Sequence, residues 1–102
     1  MYRARDQVEN EAWIDEIDRV IADLELGDHA RSRAIDVFLS NVPENDRSKK
    51  AVLAASVYVG ALVAGEQRSQ SSVAEAGDVS RLSVQQRWKE LLEETGLEPP
   101  GW

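Results

Sequence analysis

Leu82, Ser83, Gln85 and Gln86 stand together in the stretch "SRLSVQQRWKELL", Ser80 to Leu92. A glutamine amide donates and accepts at once, so it pairs bidentately with adenine, while an apolar group such as Leu can lie against a thymine methyl. Arg81, Arg87 and Lys89 lie in the same stretch, and Arg47, Lys49, Lys50 and Arg68 precede it. All seven are candidates for phosphate contacts, and Leu82, Ser83, Gln85 and Gln86 are candidates for base contacts. Other chemistry is thinly represented. The chain has no Cys and a single His, His29, which rules out thiol nucleophiles and Cys-ligated zinc and leaves no histidine cluster for a metal. Asp15, Glu16 and Asp18 fall on an outward helix face with no nucleophile beside them, as a solvated surface would. No catalytic residue, metal site or cofactor is therefore expected, and the chain does not read as an enzyme.

A helix must position those polar groups. With Val84 as the origin of a wheel of about 100° per residue, Trp88 and Leu91 lie on its side and Leu92 at its edge. Leu82, Ser83, Gln86 and Lys89 fall opposite, flanked by Gln85 and Arg87. Upstream, "SSVAEAGDV" (Ser71 to Val79) gives a short helix and a tight turn, so the pair has the outline of a DNA-reading helix-turn-helix. A purely structural helical hairpin, packed through Val73, Ala74, Val79, Val84, Trp88 and Leu91, accounts for the apolar residues equally well.

The periodicity elsewhere is helical throughout, with no strand-like alternation, so the fold class is all-α. Five helices are expected, over about 6–26, 29–41, 47–64, 70–76 and 81–95, forming one domain over 1–96 with a tail over 97–102. The first carries the stripe Trp13, Ile14, Ile17, Val20, Ile21 and Leu24. Gly27 is expected to end it, with Asp28 capping the second helix, which buries Ala34, Ile35, Phe38 and Leu39. The third, "AVLAASVYVGALVAG" (Ala51 to Gly65), is apolar on nearly every face. It should be the hub that the others surround, with Gly60 marking a close approach. Asn45 or Asp46, Ser69 and Ser80 are available as N-caps. Trp102 ends a tail expected to be frayed or folded onto an apolar patch.

Charge argues against nucleic acid at first sight. The 102 residues carry 19 Asp and Glu against 12 Lys and Arg, a net charge of −7. The acid is concentrated in residues 1–46 and at the C-terminal end, however, and residues 47–91 have a small basic excess. The abundance of acids and the preference for Arg over Lys resemble proteins of salt-rich cytosols such as those of halophilic archaea, whose acidity says little about partners. The apolar run is too short to span a bilayer, and the charged start "MYRARDQVENEAW" is no signal peptide, so a soluble cytoplasmic protein without membrane association is expected.

The ordered features of residues 46–97 resemble the later part of a cyclin repeat of archaeal transcription factor B, the relative of eukaryotic transcription factor IIB. Arg47-Ser48 opens the segment, Ala51 to Tyr58 form an Ala-rich helix, Arg68-Ser69 precede the next helix, Val73 to Val79 match a "VAEVAGV" helix, and Ser83 to Leu91 match the closing helix. The resemblance implies a five-helix, cyclin-box-like bundle around a central apolar helix, ending in the helix-turn-helix at about 69–95. It also implies a DNA-binding transcription regulator or accessory factor, with Leu82 and Gln85 at positions where the family touches bases. The family places Arg where Gln85 stands, so a changed DNA preference is expected. It places Gly where Asp78 stands, which puts the shape of the turn in question. With no Cys and room for one repeat, neither a zinc ribbon nor a second repeat is expected. The implied partners are double-stranded DNA, bound weakly by one such domain, and TATA-binding protein or another transcription protein; a homodimer is a further route to affinity. The alternative is a cyclin-box docking module that binds a transcription or regulatory protein without DNA.

Overall fold

A computed structural model describes residues 10–96, without the side chains of Arg47 and Thr95. The expected start of the first helix at about Asp6 and the tail with Trp102 lie outside these residues. Within them the chain is all-helical: α1 (Glu11–Asp23), α2 (Asp28–Ser40), α3 (Asp46–Val63), α4 (Gln70–Gly77) and α5 (Arg81–Thr95). The arrangement is a cyclin-box-like bundle.

Each element follows from local chemistry. Asn45, Ser69 and Ser80 accept hydrogen bonds from the backbone N–H of Ser48, Ser72 and Ser83 at 2.8, 3.0 and 3.2 Å. Each thereby satisfies a donor that the first helical turn leaves orphaned. α3 is the hub: every residue from Ala51 to Leu62 is buried, and α1, α2, α4 and α5 all pack on it. The buried Ser56 hydroxyl donates to the Val52 carbonyl at 2.7 Å, and the hydroxyl of the buried Tyr58 accepts from Gln67 Nε2 at 3.3 Å, so neither polar group is stranded there. The α1 stripe contributes Ile14, Ile17, Val20 and Ile21 to the core, with Trp13 and Leu24 at its edge.

Two glycines let helices meet at backbone distance. A Cβ on Gly60 would lie 2.7 Å from both the Ala30 carbonyl oxygen and the Ala34 amide nitrogen of α2. One on the buried Gly77 would lie 3.0 Å from the Ala54 Cβ, which seats α4 on α3.

The junction between α1 and α2 differs from expectation. α1 stops at Asp23 rather than near Leu26, and the left-handed residue is Glu25 (φ 55°), not Gly27. Leu26 N–H reaches back to the Ile21 carbonyl (3.0 Å) and Glu25 N–H to that of Ala22 (3.1 Å), a Schellman stop. Burial of Leu26 drives this early turn. Gly27, in extended conformation, precedes α2 without a side-chain cap, and Asp28 is already helical.

Candidate nucleic-acid interface

α4 and α5 meet through a turn whose shape is set by Asp78. It adopts a left-handed conformation (φ 57°, ψ 46°), while Val79 N–H closes onto the Ala74 carbonyl at 3.0 Å. Asp is among the few side chains that tolerate this region, so the turn forms without a glycine at that position. Ser80 then caps α5, and its hydroxyl also exchanges a hydrogen bond with that of Ser83. Ser80→Ala should cost about 1 kcal/mol, read as a lower urea midpoint, whereas Ser80→Asp retains the acceptor and should recover most of it.

α5 is pinned by its inner face. Val84 is fully buried, Leu91 and Leu92 are buried, and Trp88 packs edge-on against Tyr58 of α3 with ring centroids 5.4 Å apart. Leu82 is left 57% exposed in the first turn, the only large apolar residue so exposed among those described. Gln85, Gln86 and Lys89 follow it at three-, four- and seven-residue spacing and are exposed too. A solvated row of one apolar and two amide side chains has no structural use in holding the bundle.

Beside this row runs an open groove of about 390 Å³, lined by Ser48, Lys50 and Ala51 of α3, by Asp78, Val79 and Ser80 of the turn, and by Ser83 and Arg87 of α5. Lys50 Nζ lies 2.9 Å from an Asp78 carboxylate oxygen across it. That hydrogen bond and the ammonium charge hold the Asp78 carboxyl below the ordinary carboxylate range, so it is ionised at neutral pH. Arg87 forms no ion pair among the described residues.

Residues 7–94 match the family model of the transcription factor TFIIB repeat. The chain belongs to the TFIIB repeat family. It is 32% identical over 89 residues to transcription initiation factor IIB of Pyrococcus abyssi, a match covering 84% of this chain and 30% of that protein. The corresponding figures are 33% over 89 residues for transcription initiation factor IIB of Methanosphaerula palustris, covering 83% and 26%. For the factor of the same name from Archaeoglobus fulgidus they are 34% over 88 residues, covering 82% and 27%. The chain thus spans less than a third of the length of these relatives.

In this TFIIB repeat the candidate cations do not form one patch. Lys50 and Arg87 share the groove, and Arg81 and Lys89 are exposed on α5. Lys49 turns the other way, 3.7 Å from Asp46 and 6.0 Å from the Trp13 ring centroid on α1. The Arg68 guanidinium donates to the carbonyls of Leu24 (3.0 Å), Glu25 (3.3 Å), Glu66 (2.9 Å) and Gln67 (3.4 Å), which ties it to the backbone of the α1–α2 junction and of the α3–α4 connection. Arg47's side chain lies outside the described set.

The repeat also brings acid close to the turn, which the split of charge along the chain did not anticipate. α1 packs on α4, and Arg19 donates to the Ala76 carbonyl at 3.0 Å while pairing with Glu16 and Asp23. The hydrogen bond from Arg19 lowers the Glu16 pKa. The spacing of Glu16, Arg19 and Asp23 marked an ion-paired helix face, but nothing local in it pointed to α4. Among the described residues no group of His, Asp and Glu is placed to hold a metal, and no helix is long and apolar enough to cross a membrane.

Proposed function

We propose that this chain binds double-stranded DNA through α4 and α5 and acts as a transcription regulator or accessory factor. The observation that carries this reading is the exposed row of Leu82, Gln85 and Gln86 on the first turns of α5, flanked by Arg81 and Arg87. Leu82 serves a thymine methyl, and Gln85 and Gln86 serve adenine edges. Ser83, half-buried and in contact with the Ser80 hydroxyl, contributes less. Arg81 supports the reading further. A cation at a helix N-terminus opposes the helix dipole, a local cost that makes sense where an anion is to be received. Family membership and the relatives' name, transcription initiation factor IIB, supply the transcriptional context. TATA-binding protein, another transcription protein or a second copy of the chain would add the affinity that one small basic face lacks.

The test is duplex binding over a salt series. With Arg81, Arg87 and Lys89 engaged, log K should fall against log salt with a slope of about −3. Gln85→Ala/Arg87→Ala should weaken binding about tenfold or more and make the slope shallower by about one. Undetectable binding of both proteins down to low salt would favour the alternative, docking of a protein partner. The exposed acids Glu11, Asp15 and Asp23 of α1 favour a basic partner in that case.

A further inference from the structure

We propose that Asp78 is a built-in competitor for a backbone phosphate in the groove between α3 and α5, so that Lys50 exchanges the Asp78 carboxylate for a phosphodiester oxygen when nucleic acid binds. This inference rests on the DNA-binding reading and adds a negative determinant of affinity to it.

The groove has the parts of a phosphate seat. Lys50 and Arg87 provide two cations from two helices, and Ser48, Ser80 and Ser83 line it as well. Its volume of about 390 Å³ leaves ample room for one phosphate group. Asp78 is the one acid among the lining residues, and its carboxylate holds Lys50. The pair is open to water, with the Asp78 side chain 84% and the Lys50 side chain 45% exposed. Exposed pairs of this kind stabilise a fold very little, so the exchange has a low cost. Nor does the backbone require a carboxylate here, because a left-handed residue is accommodated as well by Asn and better by Gly.

Asp78 faces Lys50 from α3 and, at longer range, Arg19 from α1, with Arg87 of α5 in the same groove. Arg19 is engaged by Glu16, Asp23 and the Ala76 carbonyl. It therefore cannot take over from Lys50 without breaking its own pairs. With Asp78 ionised, the groove offers a net charge of one to an incoming phosphate, and the carboxylate repels that phosphate directly. On exchange the freed carboxylate takes up a cation beside the groove, which offsets the cation released from the DNA, so Lys50 adds little to the salt dependence of binding.

The experiment measures anisotropy of a mixed-sequence DNA duplex at several salt concentrations for wild type, Asp78→Asn, Lys50→Ala and the double variant, with thermal melts to confirm folding. Asp78→Gly serves as a second variant should Asn perturb the turn. Removing the carboxylate should tighten binding roughly three- to tenfold at 0.1 M salt and steepen the slope by about one, the scale of one phosphate contact. Lys50→Ala should abolish that gain, giving strong non-additivity in the cycle. An unchanged affinity and slope in Asp78→Asn and Asp78→Gly, with binding still lost in Gln85→Ala/Arg87→Ala, would overturn the competitor role and leave the DNA reading intact. Absence of binding in wild type and both Asp78 variants at the lowest salt would overturn both.

Discussion

Gly60→Val is expected to destabilise the fold by about 3 kcal/mol or more, and Gly60→Ala by about 1–2 kcal/mol. The sign runs against helix propensity, since Ala in a helix interior is favoured over Gly by roughly 1 kcal/mol. Packing outweighs that gain. The atoms that a Cβ would meet at 2.7 Å belong to the backbone of α2, and backbone within a helix cannot move aside as a flexible side chain does. Accommodating even a methyl group therefore means retracting α2 as a body. That helix carries Ala30, Ala34, Ile35, Val37, Phe38 and Leu39 into the core, and lifting it thins the contacts of all six. Valine adds two further carbons to the same gap. Small domains hold a total of about 5–15 kcal/mol, so this one position governs a large part of the margin. The measurements are the urea midpoint and the melting temperature, with a drop of roughly 4–8 °C per kcal/mol at this chain length. A Gly60→Ala protein as stable as wild type, or more so, would show that α2 does not sit on α3 at this distance.

Arg68→Ala should lower stability by about 2–3 kcal/mol while leaving DNA affinity, measured well below the melting temperature, within about twofold of wild type. Its guanidinium joins two carbonyls at the end of α1 to two in the connection between α3 and α4. The same two segments are tied in the other direction, where Gly27 N–H donates to the Glu66 carboxylate at 3.1 Å. Hydrogen bonds from a charged donor are worth about 1.5–3 kcal/mol each when protected. The half-buried setting and the ability of water to replace the lost partners keep the total near the value for one or two. Lys in this place restores the charge but not the planar fork that reaches several carbonyls at once, so Arg68→Lys should recover only part of the loss. The contrast with Arg87 is the decisive comparison. Removing Arg87 should reduce DNA affinity and flatten its salt dependence with little effect on melting. The reverse pattern, an unchanged melt with weakened DNA binding in Arg68→Ala, would place Arg68 in the phosphate-contacting set.

These two residues also mark how far the chain can be read without its fold. Gly60 was legible as a close approach because a glycine inside an apolar, alanine-rich helix gives up helix propensity for something, and contact is the usual compensation. Arg68 was not. As a cation just before an N-cap and upstream of a helix-turn-helix, it has the sequence setting of a phosphate ligand. Only the arrival of the α1–α2 turn, more than forty positions earlier, turns it into a backbone clamp.

The same division runs through the whole protein. The sequence by itself determined the five helices, their caps at Asn45, Ser69 and Ser80, the burial of α3 on all sides, and the outward row of Leu82, Gln85 and Gln86. The caps and the outward row depend on residues close along the chain, since a cap reaches three positions and a helical face repeats every three or four, and the lack of a polar face on α3 marks it as buried. Tertiary structure alone decided which cations remain available. It parted the adjacent Lys49 and Lys50, sending one toward Trp13 and the other across to Asp78, and it moved the left-handed stop of α1 from Gly27 to Glu25. It also laid the ion-paired face of α1 against the end of α4, through a hydrogen bond between residues 57 positions apart. A charged side chain several carbons long selects its partner from whatever the packing brings within reach, and that set is fixed by the docking of whole helices rather than by neighbours in sequence.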